Sequence, residues 1–81
     1  MTPRSALVER RLYFGFSQQQ LADKAASMGM PLAAFTILRA EQGQVVRPLT
    51  ASRLMKVLEV EQERWHEFFP EIFRRKEEVS A

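Results

Sequence analysis

Glycine and proline cut this 81-residue chain into pieces that are each long enough for one short helix. Gly15, Gly29 and Gly43 close three of the pieces, while Pro31, Pro48 and Pro70 open or break others. Inside the pieces apolar residues recur at helical spacing, and none sustains a period-two alternation. The chain therefore reads as all-α, a compact bundle of five or six short helices joined by connections of about two to six residues. One small domain with a modest core is what this length allows. Hydrophobic content of 46% with 27% charged residues fits a globular chain rather than a disordered one.

The first helix is expected to start near Thr2 or Ser5, with Leu7, Val8 and Leu12 on one face and Gly15 as its stop. Phe16 then precedes an N-cap, where a staple contact is common. Ser17 and Gln20 have the spacing of a capping box, which predicts a second helix with Leu21, Ala25 and Met28 inward. Pro31 to Gly43 reads as the third helix, with Leu32, Phe35 or Thr36, Ile37 and Ala40 as its inner stripe. The fourth runs from Pro48 or Thr50 to Leu58, with Leu54, Val57 and Leu58 inward. A turn at Glu59-Val60 leads to a fifth helix over 61–69, and 71–79 reads as a last short one.

Charge divides the chain. Residues 1–58 carry eight Lys and Arg against Glu9, Asp23 and Glu41, a net +5, whereas residues 59–81 carry a net −3. A basic body suits a polyanion partner, although ordinary solvated surface accounts for charge alone equally well. The absence of cysteine excludes disulfides and thiolate metal sites and fits a reducing cytoplasm. No apolar run approaches the ~18–20 residues of a membrane span, and no signal peptide is legible. The expected location is therefore cytoplasmic, with no membrane partner. His66, the sole histidine, reads as a rim residue of the fifth helix. Met28 and Met30 read as gap-fillers near a turn. No triad, metal cluster or phosphate loop is legible, so no enzyme, cofactor, metal or small-molecule ligand is expected.

Three segments in order resemble the Xre/Cro-type phage-repressor helix-turn-helix family. "GFSQQQLADKA" resembles its junction of helices 1 and 2. "RAEQG" resembles the end of its recognition helix, commonly Arg-Ile-Glu-Asn-Gly. "RPLTASRLMKVLEV" resembles its fourth helix, with the opening Pro and the closing Leu-x-Val. The intervals of five from Gly43 to Pro48 and twelve from Pro48 to Val60 are also family-like. The resemblance covers residues 7–69 and implies a lambda-repressor-like DNA-binding domain over 1–69, with 70–81 as a C-terminal helical extension. Between Leu21 and Gly43 the chain is about five residues longer than a short helix-turn-helix connection needs. The excess falls at 26–31, so either the turn is lengthened or the second helix is extended.

What the resemblance implies for the site can be stated residue by residue. Helix 2 lies across the DNA backbone, where its N-terminal N–H groups meet a phosphate, with Ser17 as cap and Gln18 as a side-chain donor. Helix 3 lies in the major groove, with Ala34, Phe35, Thr36, Leu38 and Arg39 outward and Ile37 and Ala40 inward. Ala34 and Phe35 suit a thymine methyl, Thr36 a phosphate or base edge, and Arg39 a guanine. The alternative for Phe35 and Leu38 is packing beneath the lengthened turn. Gln44 and Arg47 lie where the family contacts phosphates, although Gln44 and Val46 are neutral where relatives are often basic. Arg53 and Lys56 read as solvated surface. Arg11 and Glu41 are expected to form a structural ion pair.

Trp65, Phe68, Phe69, Ile72 and Phe73 exceed what one short helix can hide. Trp65 and Phe69 are expected to close the core. Phe68, Ile72 and Phe73 are expected to form an exposed homodimer contact, with a core lid as the alternative. The functional expectation is a sequence-specific, repressor-like transcriptional regulator that binds double-stranded DNA as a homodimer. The alternative is a protein-interaction adaptor on the same fold that has lost base readout.

Overall fold

The computed structural model describes residues 2–73, and among them all regular structure is helical. In chain order, α1 spans Ser5–Tyr13, α2 Gln18–Ser27, α3 Ala34–Glu41 and α4 Pro48–Val57. A 3-10 turn at Gln62–Arg64 then runs into the single-turn α5, Trp65–Phe68. The all-α bundle expected from the punctuation is what forms. No helix among the described residues is long and apolar enough to cross a membrane.

The capping box forms in full. Gln20 N–H donates to Ser17 Oγ at 3.1 Å, and Ser17 N–H donates to Gln20 Oε1 at 2.8 Å. Two donors that helix geometry would leave free are thereby satisfied reciprocally. Phe16, just before the cap, packs half-buried against the core. Leu21, Ala22 and Ala25 of α2 meet Ile37 and Ala40 of α3 and Ala51, Leu54, Met55, Val57 and Leu58 in and just after α4. Burial of a Leu- or Ile-sized side chain contributes about 1.5–3 kcal/mol.

The extra length between the second and third helices is a loop, not an extension of α2. It spans residues 28–33. Met30 N–H donates back to Ala25 O at 2.9 Å, and Gly29 takes φ +74, which glycine tolerates without a Cβ clash. Met30 and Leu32 pack against the core, and Arg53 Nη1 donates to Pro31 O at 3.2 Å. These contacts hold the chain non-helical through Ala33, whose ψ is 145°. The third helix therefore starts three residues later than Pro31 suggests. Met28, expected inward, is 44% exposed because it lies past the last inward turn of α2.

The inner face of α1 differs from the apolar stripe expected there. Leu7 is fully buried, but Leu12 is 59% exposed and Val8 only half-buried. Arg4, Leu7, Arg11 and Phe14 are spaced by three, four and three residues and form the inward line. Two of its four members are arginines, and each has partners in the interior (below). The fifth helix is also shorter than 61–69, and Trp65 Nε1 donates to Val60 O at 2.8 Å across the turn before it.

The aromatic C-terminal segment closes the core instead of presenting a patch. Phe69 is fully buried and Phe68 is 5% exposed. Ile72 and Phe73 are half-buried against the core, and the Phe73 ring lies 5.1 Å from Trp65 and 6.4 Å from Phe69. Phe68, expected in an exposed contact with Ile72 and Phe73, is instead part of the core, while Ile72 and Phe73 keep part of their surface in solvent. The backbone turns at Pro70, with Ile72 and Phe73 N–H both donating to Phe69 O, and this folds the rings back. The helix expected over 71–79 begins as a turn at 71–73, and its remainder lies outside the described residues.

Candidate nucleic-acid interface

Glu41, at the inner end of α3, organises the base of the candidate site. It is 6% exposed. Its carboxylate accepts Arg11 Nε at 2.6 Å, Arg11 Nη2 at 3.2 Å and Gln18 Nε2 at 3.0 Å. Arg11 Nη1 also donates to Phe16 O at 2.8 Å. The expected Arg11–Glu41 pair is thus present and bidentate, tying α1, the turn before α2, and α3 together. Among the described residues no buried side-chain nitrogen or oxygen lacks a partner. Such a network is costly to break, because a half-satisfied buried charge loses far more than the net value of its pair.

Gln18 was expected to offer its side chain to a phosphate. The structure turns that amide inward to Glu41, a correction whose cause is the acceptor capacity the carboxylate retains beside Arg11. What α2 offers outward is backbone. The N–H groups of Gln18 and Gln19 precede the first intrahelical bond and have no acceptor among the described residues. Ser17 itself is exposed and acts as the cap.

The outer face of α3 is divided. Phe35 is 65% exposed, Arg39 is exposed and Thr36 is half-buried. Ala34, expected outward, packs half-buried against the core, since the loop that precedes it lies close over the bundle. Leu38 is also half-buried. Arg39 Nε donates to Gln44 Oε1 at 2.7 Å, and its guanidinium carbon lies 5.5 Å from the centre of the Phe35 ring. Phe35, Arg39 and Gln44 therefore form one exposed cluster. Arg47 is exposed at the N-cap of α4 and makes no side-chain hydrogen bond to another described residue.

Sequence reasoning gave no role to Arg4. Its side chain is 10% exposed. It donates to Ala40 O at 2.9 Å and Gln44 O at 3.1 Å, pairs with Glu71, and lies 4.6 Å from the centre of the Phe69 ring. Arg4 N–H also donates to Glu41 O at 2.9 Å. Arg4 thus bonds carbonyls at and just beyond the C-terminus of α3, where the helix dipole favours a cation. Beside it, Gly43 at φ +88 lies so close to the Thr2 carbonyl that a Cβ would collide with it. Arg10 serves α4 in the same way, donating to Leu58 O and Glu59 O, each at 3.0 Å. The only sequence signal for either role is an arginine at or near the inward line of α1, read against carbonyls at helix ends.

The basic body is therefore less available than its net charge suggests. Arg11 is paired with the buried Glu41 and Arg4 with the exposed Glu71, Lys24 pairs with Glu59 at 3.3 Å, and Arg10 and Arg53 bind carbonyls. Among the described residues Arg39 on α3, Arg47 at the N-cap of α4 and Lys56 on α4 are exposed and have no carboxylate partner. No family model, curated protein or solved structure matches this chain.

Proposed function

We propose that the chain is a sequence-specific, repressor-like transcriptional regulator that binds duplex DNA through α2 and α3. The reading is supported by three different exposed means of contact, carried by α3, by the start of α2 and by the N-cap of α4. Phe35 and Arg39 suit base edges, the open N–H groups at the start of α2 suit a phosphate, and Arg47 suits a second phosphate. In this reading α3 lies in the major groove. The Arg11–Glu41–Gln18 network sets its angle to α2, and two copies on a paired site place their α3 helices about 34 Å apart. The contact between copies does not run through Phe68, which is core.

A second reading, a protein-interaction adaptor, is favoured by Val45 and Leu49, which are 87% and 60% exposed, and by the small number of unengaged cations among the described residues. Selection of bound sites from random duplexes, followed by a salt titration, separates the two. The regulator should yield a preferred site. A dimer making about six phosphate contacts should lose on the order of a thousandfold in affinity between 50 and 200 mM salt. Absence of binding at low salt by folded protein would reject the regulator and favour the adaptor.

A further inference from the structure

Three features of the Phe35–Arg39–Gln44 cluster bear on which bases it would read, an inference that rests on the DNA-binding proposal. First, Phe35 keeps its ring 65% exposed although half-buried Ala34 and Leu38 lie beside it, so most of the ring's apolar surface is in solvent. Second, Gln44 occupies the Nε of Arg39. The guanidinium is left with its two terminal nitrogens, the fork that fits the O6 and N7 acceptors of guanine. Third, the fork and the ring lie within two base steps of each other. The guanidinium carbon is 5.5 Å from the ring centre, and neighbouring bases on a strand are about 3.4 Å apart along the axis. With the fork on a guanine, the ring reaches the adjacent base pair. The one apolar group that the major groove offers there is the C5-methyl of thymine.

We infer that Phe35 and Arg39 act as a single reader of a thymine next to a guanine, with Gln44 as the residue that positions the Arg39 fork. The determinant at the first base is its 5-methyl group. A 5-methylcytosine beside that guanine gains the same contact, and unmethylated cytosine does not. The protein therefore discriminates the methylation state of cytosine in such a step.

The test begins with the best site from the random-duplex selection, in which each thymine of one half-site is replaced singly by uracil. One replacement, adjacent to the guanine whose preference is lost in Arg39→Ala, should weaken binding about fourfold, the value of one buried methyl-sized group. Restoring the methyl as 5-methylcytosine, compared with cytosine at the same place, should give a gain of similar size. In Phe35→Ala, both methyl effects should vanish while the guanine preference remains. Phe35 is exposed, so this variant should fold, and circular dichroism checks it. Gln44→Leu should reduce the guanine preference, read as the ratio of affinities for the best site with and without that guanine, and a ratio left unchanged would remove Gln44 from the reader. If every uracil replacement is neutral, or the methyl effect survives in Phe35→Ala, the inference is overturned while sequence-selective binding stands. If folded protein binds no duplex at all, the DNA-binding proposal falls and takes this inference with it.

Discussion

On its inner side, α3 ends at Glu41, whose carboxylate accepts three hydrogen bonds from Arg11 and Gln18. On its outer side, the same helix holds Arg39, steadied by one glutamine and by an exposed ring over which its guanidinium lies. The inner corner is further fastened by Arg4, which bonds two carbonyls around the helix end. An eight-residue helix has little stability of its own in water. Its inner corner therefore has to be held by tertiary contacts, and three polar side chains from α1 and α2 hold it. The outer side keeps side chains whose capacity for contact is not used within the chain. The difference shows that charge counted along the sequence does not measure charge offered to a partner.

The largest expected effect comes from unpairing the inner corner. Arg11→Leu leaves the Glu41 carboxylate buried with only the Gln18 amide. Equilibrium denaturation should show a loss of roughly 3–5 kcal/mol, the range for breaking one side of a buried pair. The double variant Arg11→Leu/Glu41→Leu should recover much of that loss, because no lone charge remains. If the double variant is no better than the single one, the energy lies in packing rather than in the ion pair.

Arg4→Ala is next. It removes charge-assisted hydrogen bonds to Ala40 O and Gln44 O, along with the contacts to Glu71 and Phe69. A loss of about 2 kcal/mol is expected, on the scale of hydrogen bonds made by a charged donor. Amide exchange should rise at the C-terminal end of α3 more than in α4, where Arg10 still caps. Equal loosening of both helices would argue against a local clamp. Ser17→Ala removes one half of the capping box and should cost about 1 kcal/mol.

These three sites differ in how far they could be read from the sequence. Ser17 and Gln20 are three residues apart, and a capping box is a local event, so spacing suffices. The same holds for Pro48 at the start of α4. The Arg11–Glu41 pair bridges thirty residues and was expected only because the segments around it resemble a family. Arg4 was missed because its partners lie 36, 40 and 67 residues away. No local pattern marks an arginine that points into the protein, and an apolar count along α1 selects Leu12 instead. Phe68 was misplaced for a related reason. The stretch 61–69 was read as one regular helix, whereas the chain folds as a 3-10 turn, one α-turn and a return at Pro70. That return buries rings which a continuous helix would have left outside. At the outer face, Arg39 and Phe35 are exposed as the resemblance implies, although helical spacing alone also offers Phe35 to the inner stripe, and their alignment by Gln44 depends on the turn after α3.

Arg39→Ala should have the smallest effect on stability, and it sharpens the contrast most. The residue is exposed, as is Phe35, and Gln44 is only half-buried, so the fold should change by no more than about 0.5 kcal/mol. Under the DNA-binding proposal the same substitution should cost roughly 1–3 kcal/mol on the best site and relax preference at one or two base pairs. Arg47→Ala should weaken all duplexes alike, since a phosphate contact carries no sequence information. The inner and outer residues then separate on two axes: Arg11 affects stability, Arg39 affects selectivity, and Arg47 affects affinity without selectivity. A stability loss in Arg39→Ala as large as that in Arg4→Ala would abolish the distinction between the two sides of α3. A uniform loss across sequences would move Arg39 from base reading to phosphate contact. Denaturation curves and competition binding on the same preparations measure both axes, and the contrast holds only if the arginines sort in that order.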